Sequence, residues 1–293
     1  MPDAHSTAEE VTEGLDLTGQ AWLVTGCNSG LGRETIRVLA LRGAHVVGLA
    51  RTRAKAEDAL ASLDVDGSPV ACELSDLGSV ASAVRAVQAL GRPLDGIVTN
   101  AGIMALPRLE QVRGYERQFF TNHIGHFALV LPLLPLVPTR GRVVVLSSGA
   151  HRMARERGLE LDNLSGEQDY DPWRMYARSK LANILFARGL AARFAGDGSK
   201  RTANAVHPGI IATNLQRHLP DTEGLMARMK DRLKTVAQGA ATSCYVATRP
   251  ELAGVRGRYF ADCDQTAPIP AALDDTLAEA LWTRSEQIVA EAS

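Results

Sequence analysis

Tyr176 and Lys180 lie four places apart in the stretch Met-Tyr-Ala-Arg-Ser-Lys, residues 175–180. The chain has only five tyrosines and five lysines in 293 residues, so the pair is unusual by chance. Side chains at i and i+4 share one helix face. A free phenol ionises near pH ~10, too high for efficient proton exchange at neutrality. A buried ammonium beside it favours the phenolate, each pH unit of lowering being worth about 1.4 kcal/mol. The pair is therefore expected to be an acid–base group, with the phenol brought down by Lys180. Ser148, closing the apolar run "GRVVVLSS", can hydrogen-bond a reacting oxygen and steady charge developing there.

These groups need a scaffold. Apolar runs of strand length occur at 21–26, 44–50, 68–74, 95–101, 141–148, 202–209 and 257–262. Most are continuously apolar, as in strands covered on both faces. Between them lie helical stretches near 30–42, 54–63, 77–90, 112–131, 172–195, 223–247 and 274–290. This alternation predicts an α/β fold, a doubly wound and mainly parallel sheet of seven strands in a single domain. Residues 1–16 are polar and acidic and are expected to form a flexible tail, with the domain running from 17 to 293. Segments 150–171 and 210–235 interrupt the alternation after strand ends, where ligands bind in such sheets.

The first strand runs into "VTGCNSGLGRETI". Gly26, Gly30 and Gly32 make a G-x-x-x-G-x-G turn opening a helix, whose free N–H groups and dipole suit a pyrophosphate. The second strand ends "GLART". A free ribose 2′-hydroxyl calls for an acidic residue there and a 2′-phosphate for a cation. Arg51, with its forked donors, argues for NADP(H). After the third strand, Glu73 or Asp76 could accept from an adenine amino group, and Asp76 fits equally well as a helix cap. The fourth strand ends "TNAG", where small residues let a ring approach the backbone and Asn100 can tie neighbouring loops together.

The net charge of −1, 45% hydrophobic and 22% charged residues give no footprint for nucleic acid or an anionic membrane. Cys27, Cys72, Cys244 and Cys263 are dispersed, which suits reduced cytosolic thiols rather than disulfides. His123 and His126 share a helix face without a third ligand, so no metal is expected, and both read as packing or hydrogen-bonding residues. The apolar run 128–137 is broken by Pro132 and Pro135 and reads as the buried end of a helix. A soluble, cytoplasmic protein is expected.

"TGCNSGLG", "TNAG", "TNHIGHF", "VVVLSSGAH", "YARSK" and "VHPGIIATNL" stand in the order found in short-chain dehydrogenases/reductases. From about Leu15 to the last helix the chain resembles their retinol-dehydrogenase-like branch, which includes the oxidoreductase domain of WW-domain-containing oxidoreductases. The resemblance implies a Rossmann-type fold and a catalytic tetrad of Asn122, Ser148, Tyr176 and Lys180. It implies NADP binding, NADPH before NADH, by Gly26, Asn28, Ser29, Gly30, Leu31, Gly32, Arg51, Glu73, Leu74, Asn100, Ala101, Gly102, Tyr176, Lys180, Pro208, Gly209 and Thr213. Asn122 would hold a water linking Lys180 to solvent. Glu73 stands where Asp is commoner and Thr99 where Asn is commoner, which bears on the adenine contacts and not on the chemistry.

The expected reaction is the interconversion of a carbonyl and an alcohol on an apolar small molecule. Leu219, Leu225, Met226 and Met229 offer an adaptable apolar face for it. The alternatives are a cofactor-binding sensor or scaffold without turnover, and a reductase of a conjugated carbon–carbon double bond. A homodimer or homotetramer pairing the helices near 112–131 and 172–195 is also expected.

Overall fold

Strand β1 (Ala21–Thr25) is buried along its whole length, so it needs cover on both faces. Its residues alternate between two apolar layers, as the period of two in a strand demands. Leu23 joins Val47, Ile97, Val143 and Val145 on one side. Trp22 and Val24 join Val46, Val98 and Val144 on the other. In the computed structural model, which describes residues 2–211 and 233–291, this pattern repeats across one sheet.

The sheet comprises β1, β2 (His45–Ala50), β3 (Gly67–Ala71), β4 (Gly96–Thr99), β5 (Arg142–Leu146), β6 (Thr202–His207), β7 (Tyr259–Ala261) and β8 (Asp264–Gln265). Their order is β8-β7-β6-β5-β4-β1-β2-β3. The seven expected strands are all present and parallel, while β8 adds an eighth, antiparallel to β7 at the edge. Strand order reverses at β1, which pairs with both β2 and β4. The crevice for a ligand therefore opens at the carboxyl ends of β1 and β4.

One layer of helices is α2 (Gly30–Leu41), α3 (Arg53–Ala61) and α8 (Val236–Thr248). They bring Ile36, Leu39, Ala56, Leu60 and Val246 onto the Trp22 side of the sheet. The opposite layer contains α4 (Leu77–Gln88), α5 (Arg117–Phe119), α6 (Gly125–Leu133), α7 (Pro172–Gly196) and α9 (Asp275–Glu291). Thr52, Asp76, Asp171 and Thr235 cap α3, α4, α7 and α8 through their side chains, satisfying N–H groups that a helix cannot. The apolar stretch 117–136 is mostly buried within the fold, as a core helix is.

Two expectations are corrected. Residues 1–16 are not a flexible tail throughout: Ala8–Val11 form the short helix α1, closed by a Thr7–Glu10 capping box. Ala8 and Val11 are buried with Val38, Ala240 and Ala241, and Glu9 pairs with Arg37 at 2.9 Å. Two apolar residues in a polar segment suffice to dock it. The helix expected from 112 starts at Arg117, because Gln111–Val112 and Tyr115–Glu116 pair as a small antiparallel ladder. Helix α9 packs on α6 and α7. Trp282 meets Phe127 at 5.0 Å and Phe186 at 6.0 Å between ring centroids.

Candidate active site

The strand-to-helix turn after β1 holds Gly26 at φ +70° and Gly30 at φ +50°, backbone that side-chain-bearing residues adopt at a cost. A Cβ on Gly32 would fall 2.2 Å from the Gly26 carbonyl oxygen, so only glycine lets α2 start this close to β1. Asn28 and Ser29 are exposed, Gly30 and Leu31 half-buried. Ser29 occupies the N-cap of α2 but makes no capping bond, and the first turn carries no acidic residue. The four helices named above are capped and this one is not, leaving its N–H groups and dipole available to an anion.

Arg51, just past β2, is exposed and makes no hydrogen bond or ion pair among the described residues. Arg53 is engaged by Glu57 at 2.7 Å. Of the two carboxylates left open for the adenine edge, Asp76 caps α4 by accepting from Gly78 N at 2.9 Å. Glu73 Oε1 accepts from the Ser75 backbone at 3.0 Å and its hydroxyl at 2.8 Å. Leu74 is buried beside it. Thr99 spends its hydroxyl on the Val144 carbonyl at 3.5 Å.

After β4, Asn100 donates to the Thr25 carbonyl at 2.9 Å, and Ala101 N donates to the Thr25 hydroxyl at 2.9 Å. This ties the TNAG loop to the end of β1, as expected of Asn100. A Cβ on Gly102 would lie 3.1 Å from Asn122 Oδ1 and 3.6 Å from Lys180 Nζ, so the loop runs directly against the tetrad. Asn122 sits in a π turn, Phe120–Ile124, between α5 and α6; such turns recur at functional sites. Its side chain brackets Ile103, accepting from the N–H at 2.8 Å and donating to the carbonyl at 2.9 Å, and it also reaches Ser179 Oγ at 2.9 Å.

Tyr176 and Lys180 are both buried on α7, with Lys180 Nζ 5.6 Å from the phenol ring centroid. Nζ donates to the Leu146 carbonyl at 3.1 Å, an acceptor shared with Asn183 at 2.9 Å. Ser147 Oγ donates to the Lys180 carbonyl at 2.7 Å, fastening α7 to the end of β5. Ser148 Oγ accepts from Ala150 N at 3.1 Å, leaving its proton for another partner. The structure thus gathers all four tetrad residues with the glycine turn and the TNAG loop at one sheet edge.

The expected electrostatics need correcting. Burial pushes the Tyr176 phenol up to about 12, and the nearby Ser148 hydroxyl pulls back by less. Burial also brings Lys180 down to about 8. Desolvation penalises the charged form of each group and is the largest cause of both shifts. Both shifts favour the neutral forms, the protonated phenol and the free amine.

Pro208 and Gly209 follow β6; Gly209 has φ +93° and packs on the Lys234 stem. Thr213, and the expected apolar face of Leu219, Leu225, Met226 and Met229, lie outside the described residues. Met104, Ala105, Ala150 and Trp173 surround Tyr176, and Trp173 meets its ring edge-on at 6.4 Å, so the described side of the mouth is apolar.

Sequence reasoning assigned no role to several supports. His207 Nδ1 accepts from Gly149 N at 3.0 Å and His151 Nδ1 bonds the Ser148 carbonyl at 2.6 Å, holding the Ser148 loop from two sides. Both imidazoles stood in motifs already singled out, "SSGAH" and "VHPG". Arg178, buried between Tyr176 and Lys180, donates to the carbonyls of Leu159 at 2.8 Å, Glu160 at 2.6 Å and Asn163 at 2.9 Å. It thereby pins the 150–171 insertion. Arg178→Met should strand these carbonyls and lower stability by about 3–5 kcal/mol. Denaturant unfolding would show the loss, and limited proteolysis should cut first within 155–166.

The family model described as short chain dehydrogenase matches residues 20–159. Short-chain dehydrogenase TIC 32 B, chloroplastic, of Brassica napus is 40% identical over 97% of this chain and 93% of its own. The chain belongs to the short-chain dehydrogenase family. Within it, the similarity to mouse retinol dehydrogenase 14, 40% identical over 92% of this chain and 86% of that protein, places it in the retinol-dehydrogenase-like branch. A crystal structure of a protein from Mycobacterium Paratuberculosis shares the fold with a TM-score of 0.77 and 31% identity, covering 95% of this chain and 96% of that one. Short-chain dehydrogenases are oxidoreductases that use nicotinamide cofactors, and the uncapped α2 N-terminus, the glycine turn and the small TNAG residues of this chain fit one.

Proposed function

We propose that this short-chain dehydrogenase is an NADP(H)-dependent oxidoreductase of the cytoplasm that interconverts an apolar ketone or aldehyde with its alcohol. The observation that carries the reading is the convergence of Tyr176, Lys180, Ser148 and Asn122 beside the glycine turn. When bound, the nicotinamide supplies or collects the hydride. Tyr176 gives its proton to the carbonyl oxygen in reduction and takes one back in oxidation. Ser148 offers its hydroxyl proton to the same oxygen as negative charge builds there. Lys180 keeps two N–H donors beyond the one given to Leu146, enough to hold ribose hydroxyls. The protonated phenol is the form that donates the proton in reduction.

Met104, Ala150 and Trp173 support an apolar substrate, since these side chains reward loss of water and offer no charge. A screen of hydrophobic ketones and aldehydes, following NADPH absorbance, tests the activity. No turnover across the panel would count against it, and product analysis would reveal reduction of a carbon–carbon double bond instead.

Uncommitted Arg51 supports the preference for NADPH. Arg51→Ala should weaken NADPH binding by about 10- to 100-fold, the worth of charge-assisted hydrogen bonds, and leave NADH nearly unchanged. Titration of cofactor fluorescence measures both; equal weakening would mean that Arg51 does not read the 2′-phosphate.

A further inference from the structure

Buried imidazoles in this chain are expected to be satisfied core residues, and His126 is satisfied in an unusual way. Its Nε2 lies 2.9 Å from Thr25 Oγ1, and its Nδ1 lies 2.9 Å from the Asn122 carbonyl oxygen. The direction of every bond follows from the two ends. Ala101 N can only donate, so Thr25 Oγ1 accepts from it at 2.9 Å. The Thr25 hydroxyl proton is then left for His126 Nε2. The Asn122 carbonyl can only accept, so His126 Nδ1 must carry the ring proton.

We propose that His126 is a positioning residue for the tetrad: a neutral, Nδ1-protonated strut that sets the Asn122 π turn against the TNAG loop and the end of β1. The proposal rests on the oxidoreductase reading above. Asn122 is thereby held twice to the same loop, by its side chain on Ile103 and by its carbonyl through His126, Thr25 and Ala101. The loop between those holds contains Gly102, which faces both Asn122 and Lys180. Small errors in that register matter, because misplacement by about 1 Å can cost on the order of 100-fold in rate. Burial, with the Lys180 ammonium adding repulsion, keeps His126 neutral by bringing it down to about 4. A charged ring would also aim a second N–H at Thr25, where an acceptor is needed.

Three substitutions separate the two arms. His126→Asn retains a donor near the Nδ1 position, His126→Gln retains a polar group near the Nε2 position, and His126→Phe removes both at similar volume. Each is compared with the wild type and with Tyr176→Phe, using NADPH and an apolar ketone that the wild type reduces. In the same proteins, ¹⁵N-histidine NMR reads the ring protonation, with His126→Asn supplying the assignment.

The expected result is an Nδ1-protonated neutral ring at pH 7. His126→Phe should lower kcat at least about tenfold with KM within about twofold, and His126→Asn should recover most of that loss. An Nε2-protonated ring would overturn the strut. So would His126→Phe turning over within twofold of wild type, or all three variants losing kcat in step with thermal stability. Should His126→Phe not fold, the contrast between His126→Asn and His126→Gln carries the same test. If the wild type reduces nothing, the oxidoreductase reading fails by itself, and the ring protonation still decides the strut.

Discussion

Tyr176→Phe should lower kcat for NADPH-dependent carbonyl reduction by about a thousandfold, within the range that a positioned acid–base group contributes. The substitution keeps the ring against Met104, Ala105 and Trp173, so the fold and substrate KM should change little. What disappears is the phenol proton, which burial holds in place up to about 12. A developing alkoxide is more basic than a phenolate, so the transfer runs downhill even from so weak an acid. Steady-state kinetics with a hydrophobic ketone, with circular dichroism to confirm folding, decides it. Turnover within tenfold of wild type would remove Tyr176 from the chemistry, whereas no turnover by the wild type itself would favour a cofactor-binding sensor.

Lys180→Met should have opposite effects on activity and stability. Turnover should fall by about 10²- to 10³-fold, because the ammonium beside the phenol and its two uncommitted donors are gone. Stability at pH 7 should rise by about 3 kcal/mol, the value of bringing an amine from 10.5 to about 8. The folded value lies below the unfolded one, so between these two pH values the unfolded chain binds more protons and wild-type stability climbs with pH. The cost is complete below about pH 8 and gone above 10.5, so the variant's advantage should shrink to nothing across that window. The Leu146 carbonyl does not become an orphan, since Asn183 still donates to it at 2.9 Å. Urea unfolding at several pH values measures the effect. A variant less stable than wild type at pH 7 would mean that the ammonium is solvated or paired in the folded state. Holding an unpaired charge in the core is the kind of stability that function gives up.

Much of this architecture could be read from residue order because it rests on short-range chemistry. Continuous apolar runs of strand length, set between turns and helices, read as strands covered on two faces, and Gly26, Gly30 and Gly32 sit where backbone must pass backbone. Tyr176 and Lys180 share a helix face by spacing alone. What spacing does not carry is depth. The expected acidification of Tyr176 fails because both groups are buried, and burial depends on Met104, Ala150 and Trp173, which arrive from three separate segments. Glu73 and Asp76 looked interchangeable in sequence, yet one closes a local turn through Ser75 and the other caps α4. The docking of α1 was hidden for a similar reason: Ala8 and Val11 are too few for a periodic signal and find their partners on helices distant in the chain. His126 and Ser179 gain meaning only when β1, the π turn and α7 meet.

Helix α9 bears on how the protein is made. Trp282 closes the ring cluster of Phe127 and Phe186, and Ser285 gives buried His123, the neighbour of Asn122, its hydrogen-bond partner at 2.8 Å. On the ribosome these aromatic rings emerge long before the segment that shields them. The nascent chain must carry a sticky surface until α9 has emerged. Chaperone demand during expression, and aggregation of chains terminated before Asp275, follow from the position of this one late helix.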